Sequence, residues 1–517
     1  MALKEDAVDV ELYGQDGKIP RKRDPNNCRH GPGSKCPHCL PLDPYDESYL
    51  LSREIKHMSF HAYLRQRIES NSPGSYGNKS SKEKFYPLEN LVCHVVPGCN
   101  KHQPWPKASC TSCAPGTITL TRQKYRHCDN ICFENDSMVN NFLDYWRRSG
   151  HQRAGLLLGE YTVHSDVPLG IKAVVRAIYE PPQTSSPNSI NLLSEQMNEE
   201  LKIVDELCEH LNLVRVGWIF TDLTSMADAQ GQVKCTRSAD SYLMTAEECI
   251  TAGWLQNMHK NATRHAKEGF FGSKFVTVVV SGDVSNQVHF SAYQVSNQCA
   301  ALVDDNILVP LNGCPELAYV RDNPTCPEQY IPDVKFTEKD KYGNEVTKDG
   351  RPLPVEYLLV DVPCGRPLEQ EYTFNDAFTV ENRDALGDIQ NVGSLAERQK
   401  SVEDGSLSPL KFASDFHFLL FLAKNDVQRI APTDLQSLLQ AVRSKDEEAT
   451  TVWFGSNEAW LTLTHLISAH HENALASGDT VASGSSAAGA NVSWQCAHCT
   501  FQNAQARDGC EMCGLPR

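Results

Sequence analysis

Residues 211–223, LNLVRVGWIFTDL, contain an apolar run with Gly217 and Trp218 inside it. A short run of this composition reads as a buried strand. It stops at Thr221-Asp222, so the strand end delivers polar side chains to a site. The preceding segment, EQMNEELKIVDELCEHLN (195–212), places Leu201, Val204, Leu207, Cys208 and Leu211 at helical spacing. The neighbouring text alternates in the same way. NDSMVNNFLDYWRRSG (135–150) reads as a helix, and AGLLLGEYTV (154–163) and IKAVVRAIYEPP (171–182) read as strands. SKFVTVVVS and VHFSAYQVS read as neighbouring strands joined by the turn GDVSNQ (282–287). The expected core is an α/β layer with a mixed sheet.

A chain of 517 residues is too long for a single core. Its net charge of −16 argues against nucleic-acid binding, which needs a basic face. The basic run Arg21-Lys22-Arg23 reads as a solvated loop. The amino terminus, MALKEDAVDVELYG, has no apolar signal region, and FVTVVV and FHFLLFLA are too short to span a bilayer. An intracellular protein without membrane insertion is therefore expected. In a reducing compartment, 20 cysteines in spaced clusters indicate metal ions in place of disulfides. Cys208, Cys249 and Cys299 stand singly and read as small core residues.

The fold class expected is multidomain α+β. Residues 1–20 read as a disordered start and 21–126 as two zinc-finger modules with one good helix, HMSFHAYLRQRI (57–68). Residues 127–330 form the α/β domain, 331–412 a loop-rich insertion with a hairpin, and 413–470 a helical carboxy-terminal domain. An Ala/Gly/Ser-rich linker follows at 471–493, and a last module at 494–517.

Three clusters have metal-ligand spacing. In the last module, Cys496-x2-Cys499-x10-Cys510-x2-Cys513 offers two knuckles that close a tetrahedral four-thiolate zinc site and fold a peptide too small for a core. Cys93-x5-Cys99-x10-Cys110-x2-Cys113 reads as a second structural site, with His102 as a possible substitute for one thiolate. In the third cluster, Cys28, His30, Cys36, Cys39, His57 and His61 compete for four places. The favoured set is Cys28, Cys36, Cys39 and His61, with His57 and His30 as contenders. His57 and His61, four apart on the expected helix, would share a face. Three structural zinc ions are thus expected. A closed four-ligand site leaves no position for a reacting water.

Trp494, Asn503 and the Thr500-Phe501 pair of the last module resemble the ubiquitin-binding variant of the Ran-binding-protein-type zinc finger. That resemblance implies that Thr500, Phe501 and Met512 meet the hydrophobic patch of ubiquitin. The strands around LNLVRVGWIFTDL resemble the MPN domain, the fold of the JAMM metalloproteases that cut ubiquitin chains. Those enzymes need His-x-His-Pro at the end of the Gly-Trp strand, a later Ser and Asp, and a Glu before the Gly-Leu-Leu strand. Here the histidine positions hold Phe220 and Asp222, and Leu223 stands for the Pro. The later Ser and Asp fall on Gln230 and Val233, and the Glu on Gln152. Without imidazoles the site cannot hold a catalytic zinc ion, so no catalytic residue is assigned. Glu160 and His164, an imaginable acid and base, read as members of a polar loop.

The order of parts, with the runs DGKIPRKRDPNNCRHGPGSKCPHC, KHMSFHAY, TLTRQKYRHCDNICFEN, VGWIFTDL and YQVSNQCAALV, resembles the nuclear protein localization 4 family. The resemblance spans roughly residues 15–470 and the last module. It implies a non-enzymatic cofactor of the valosin-containing AAA ATPase. With a ubiquitin fusion degradation 1 subunit, such a cofactor captures polyubiquitinated proteins for extraction and proteasomal turnover, including turnover from the endoplasmic reticulum. The fingers at 28–113 would stand near the mouth of the ATPase ring, and a groove between the MPN and helical domains would take an unfolded ubiquitin. Cytoplasm and nucleus, with peripheral association at the endoplasmic reticulum and nuclear envelope, are the implied locations. Family members usually begin with a UBX-like domain, and this sequence starts just before the first finger, so autonomous high-affinity ATPase binding is in doubt. A metallo-deubiquitinase with displaced ligands and an RNA-binding protein are the alternative readings.

Overall fold

The computed structural model describes residues 4–24, 27–31, 34–70, 85–226, 231–367, 369–425, 428–476, 494–495 and 502–503. Its centre is a mixed sheet. The strands, in chain order, are β1 (Asn130–Phe133), β2 (Ala154–His164), β3 (Gly170–Tyr179), β4 (Val214–Thr221), β5 (Val276–Gly282), β6 (Val288–Val295), β7 (Leu359–Val362) and β8 (Cys364–Gly365). Their spatial order is β7-β6-β5-β4-β2-β3-β1-β8. The two ends, β7 and β8, are consecutive pieces of one chain segment, which pairs with β6 on one side and β1 on the other. The sheet therefore closes on itself, and this removes its open edges.

Both faces of these strands are covered, which explains their near-continuous apolar text. Successive side chains alternate between faces. Leu156, Leu158, Trp218 and Phe220 join the core under the helices Ser194–Leu211, Ala246–Met258 and Asn297–Asp304. Leu157, Val216, Ile219 and Val278 join the core that includes Phe142 and Leu143 of helix Asp136–Ser149. Gly217 is required by this packing: a Cβ there would lie 2.4 Å from the carbonyl oxygen of Val276 on the adjacent strand.

Several expectations need correction. Residues 1–20 are not uniformly without structure: helix Ala7–Tyr13 buries Val8 and Leu12 against Leu169 and Ile171, and Asp9 beside His61 and Lys274. The three apolar or charge-paired positions recur at helical spacing, but seven residues are too few to stand out in a polar stretch. The finger region contains two helices, Glu47–Ser52 and Phe60–Ser70, and His57 precedes the second, so it does not share a helical face with His61. The insertion at 331–412 holds the expected hairpin, Val334–Lys339 with Glu345–Asp349, which pairs in parallel with Ile118–Leu120. It also holds helices Val392–Glu403 and Pro409–Ala413, so the helical region begins earlier than 413. Glu160 and His164 lie on β2 and not on a loop. Helices Phe416–Lys424, Pro432–Ser444, Glu447–Ser456 and Glu458–Ala476 complete the region, the last extending into the expected linker. No helix of the described residues is long and apolar enough to cross a membrane.

Candidate metal centres and the end of the central strand

Each of the two amino-terminal cysteine clusters is built on one local loop. In the first, Leu40 N donates to Cys36 O at 2.9 Å and Cys36 N to Cys39 Sγ at 3.3 Å. In the second, Ala114 N donates to Cys110 O at 2.9 Å and Cys110 N to Cys113 Sγ at 3.3 Å. The same tight turn thus aims two thiols inward in both. Arg21 supports the first loop by donating to Pro37 O and Leu40 O at 2.5 and 2.6 Å, so this arginine is part of the finger's frame.

The ligand atoms of Cys28, His30, Cys36 and Cys39 lie within 4.8 Å of one another, and so do those of Cys99, His102, Cys110 and Cys113. The Cys28–Cys36 and Cys36–Cys39 sulfur separations are 3.6 and 3.8 Å, and Cys99–Cys110 and Cys110–Cys113 are 3.7 and 3.8 Å. A tetrahedral zinc with sulfur at about 2.3 Å requires sulfurs about 3.8 Å apart, so the donor sets fit that ion. The Nε2 atoms of His30 and His102 face Cys39 and Cys113 at 3.2 Å in each case. Each Nδ1 donates to a backbone carbonyl, Gly31 at 2.9 Å and Gln103 at 2.7 Å, which fixes the tautomer and leaves Nε2 as the ligand. The Ser112 amide, above all, draws the Cys110 thiol down to about 6. At Cys36, burial pushes upward, but the His38 amide and the neighbouring thiols prevail and the value falls to about 6. Low thiol values favour the thiolates that metal binding needs.

The structure therefore replaces two expected ligands. His61 is not in the first cluster; it is buried, with Nε2 2.8 Å from Asp9 Oδ1. Burial raises the Asp9 carboxyl, but the His61 hydrogen bond and the Lys274 charge outweigh it and hold the group below its ordinary range. Cys93 is not in the second cluster. It is fully buried among core residues including Ile118 and Leu120, and burial pushes its thiol up to about 12. His30 and His102 stand in their places. Locality was the available signal, since each observed set closes within one short loop, and short closures cost less chain entropy. In the last module, Trp494–Gln495 pairs antiparallel with Gln502–Asn503. Cys496, Cys499, Thr500, Phe501, Cys510, Met512 and Cys513 lie outside the described residues.

At the end of β4 the polar groups are hydrogen-bonded to one another. Gln152 accepts from Thr221 Oγ1 at 2.8 Å and from Leu223 N at 3.0 Å, and donates to the Leu223 and Pro187 carbonyls. Phe220 is buried against Trp218, with ring centroids 4.8 Å apart. Asp222 accepts from Arg237 Nε at 2.7 Å. Val233 is buried, and Gln230 lies outside the described residues. Glu160 is taken by Arg176 at 2.7 Å, and His164 is half-buried, with burial lowering its pKa. Gln152, Phe220 and Val233 offer neither an imidazole nor a carboxylate to an ion.

A second feature is a groove of about 930 Å³ between helix Ser194–Leu211, the segment 382–391 and helix Phe416–Lys424. Glu199, Glu200 and Glu206 line one side, and Lys424 and Arg429 the other.

Comparison with known proteins places these features. Residues 153–468 match the model described as "NPL4 family", and residues 3–150 match "NPL4 family, putative zinc binding region". The chain is 49% identical to nuclear protein localization protein 4 homolog 1 of Caenorhabditis elegans over 526 residues, covering 98% of this chain and 97% of that protein. It is 47% identical to the human nuclear protein localization protein 4 homolog over 525 residues, covering 99% and 82%. The Saccharomyces cerevisiae protein is 34% identical over 479 residues, covering 90% and 80%. With both Cys/His clusters inside the zinc-binding region, and the family model matching from β2 through the helical region, the chain belongs to the NPL4 family.

Proposed function

We propose that this protein is a non-catalytic adaptor that binds ubiquitin chains and delivers the tagged proteins to the valosin-containing AAA ATPase. In this reading the closed sheet is an MPN domain without its metal. The ubiquitin fusion degradation 1 subunit is its companion, and extraction, including from the endoplasmic reticulum, precedes proteasomal degradation. Cytoplasm and nucleus, with peripheral endoplasmic-reticulum and nuclear-envelope association, are the proposed locations; the names of the relatives point to the nucleus.

The observation that carries the reading is the chemistry of the β4 end. Metal-assisted hydrolysis needs an ion with an open coordination position and a general base beside it. Here Phe220 supplies no donor, the Gln152 amide supplies no base, and Asp222 is bound to a guanidinium. The two Cys/His clusters, each with four ligands, hold shape and leave no position for substrate. What the chain contributes is surface. Its zinc-stapled loops hold their shape without a large core, and the groove of about 930 Å³ beside helix Ser194–Leu211 offers a further surface for a polypeptide. The last module would add a second contact through Thr500, Phe501 and Met512, and two weak sites on one chain raise avidity.

The test is incubation of the zinc-loaded protein with polyubiquitin. Binding without cleavage is expected, and chelator-sensitive cleavage would overturn the adaptor reading in favour of a metallo-deubiquitinase. T500A/F501A in the isolated last module should abolish its ubiquitin binding; unchanged binding removes that assignment.

A further inference from the structure

Three distant segments meet at Asp9. Its side chain, on helix Ala7–Tyr13, is fully buried, and its two oxygens are taken by different parts of the chain. Oδ1 lies 2.8 Å from Nε2 of His61, on helix Phe60–Ser70 of the finger region. Oδ2 accepts from Nζ of Lys274, just before β5. Lys274 is itself buried, donates to Asn261 Oδ1 at 2.8 Å and pairs with Asp6 at 2.5 Å. The same segment is gripped on either side of this buried pair. Glu5 accepts from the Arg264 amide at 2.7 Å and from Arg264 Nε at 2.9 Å, and Arg65 donates to the carbonyls of Tyr13 and Gln15 at 2.9 and 2.5 Å. The Tyr13 ring packs edge-on against His61, and its hydroxyl is 2.9 Å from Thr263 Oγ1. At Gly17 the backbone turns with φ +64°, and a Cβ there would lie 2.5 Å from the Leu169 side chain.

The apolar part of this seat is small. Val8 and Leu12 pack with Leu169 and Ile171 in a cluster of their own, apart from the large cores. A seven-residue helix does not hold in water by itself, so helix Ala7–Tyr13 forms only while seated. The polar part is costly, because a carboxylate taken out of water is stable only while its partners stay in place. An element with these two properties opens locally, ahead of the sheet it rests on. On opening, His61 and Lys274 lose their shared acceptor, and both belong to the walls of the seat. We infer that residues 5–17 form a strap, locked by the Asp9 carboxylate, whose seating is coupled to the order of helix Phe60–Ser70 and of segment 261–274. The strap runs into the base of the first metal loop, where Ile19 and Leu42 exchange backbone hydrogen bonds at 2.9 and 3.0 Å, so it also anchors one leg of that loop on the closed sheet. Asp9 is a positioning residue in this device, which uses no ubiquitin or ATPase contact and stands apart from the adaptor reading.

The test is hydrogen exchange read by mass spectrometry on full-length, zinc-loaded wild type, D9N, D9E and G17A. D9N keeps the shape of the side chain and removes its charge. Exchange in D9N is expected to rise at least about tenfold in residues 5–14, 58–66 and 261–274 together, with β4, β5 and the zinc content unchanged. D9E, which keeps the carboxylate, should fall between wild type and D9N. G17A touches no charge and acts through Leu169, yet it should raise the same three segments. The inference is overturned if exchange rises in residues 5–14 alone, which would make the helix a passenger, or rises equally in β4 and β5, which would make the effect a general loss of stability. If neither D9N nor G17A folds, wild type in increasing urea decides: the three segments must open together at lower urea than the sheet, and separate openings refute the coupling.

Discussion

Raising the pH should loosen the contact between the helical region and the closed sheet through one buried histidine. His417 lies in helix Phe416–Lys424, with Nδ1 2.7 Å from Glu381 Oε2 and Nε2 3.9 Å from Asp376. Asp415 is a third acidic neighbour, itself held by Arg398 at 2.8 Å and by the Phe378 amide at 2.7 Å. Glu381 also accepts from the Glu180 amide at 2.9 Å, and Glu180 grips Arg153 and Arg383 at 2.6 and 2.5 Å. Burial works against the imidazolium, but Glu381, Asp415 and Asp376 outweigh it and raise His417 from 6.5 to about 9. The folded protein therefore holds this proton more tightly than the unfolded chain. The associated stability is fully present below pH 6.5 and is lost as pH rises through 9. A shift of this size corresponds to about 3 kcal/mol at about 1.4 kcal/mol per pH unit. Urea melts followed by the fluorescence of Trp453 and Trp460, compared between wild type and H417Q from pH 6 to 10, isolate the effect. The stability difference should shrink by about 3 kcal/mol across that window. A flat difference curve would refute the charged-histidine assignment.

Three other expectations follow from the geometry. H30A and H102A should each lower the zinc content of the full chain, whereas H61A and C93A should leave it unchanged; H61A should instead cost about 1–3 kcal/mol by stripping buried Asp9 of a partner. Metal analysis by mass spectrometry with parallel denaturation separates the two classes. G217A should destabilise by more than about 2 kcal/mol, because the added methyl meets the Val276 carbonyl on the adjacent strand, and loss of the cooperative urea transition is the readout. On the acid side, burial lowers His127 to about 3 and His259 to about 4. The unfolded chain then binds more protons, so stability should fall as pH drops below 6.5, visible as a declining melting temperature from pH 6.5 to 4.

The amino-acid sequence by itself determined the elements whose side chains have a strict period. The strands around LNLVRVGWIFTDL, the helix ending at Leu211 and the Cys-x2-Cys knuckles are legible because burial on a sheet face or in a tight turn imposes local residue patterns. Gly217 is visible inside the run, but only the structure shows that the Val276 carbonyl approaches it. Tertiary structure decided what depends on the meeting of distant segments. As text, His61 is favoured and His30 is a contender, and only the docking of helix Ala7–Tyr13 places Asp9, itself paired with Lys274, where it claims His61. The closure of the sheet depends on one segment, 359–365, pairing on both sides, and neither pairing partner lies near it in the chain. The pairing of Arg237 with Asp222 and Glu248 follows no sequence pattern and is made only where the strand end and the capped helix converge, because a charge cluster has no sequence period. Periodic burial is a local property of the chain, whereas pairing of charges and ligands is settled by which surfaces meet in space.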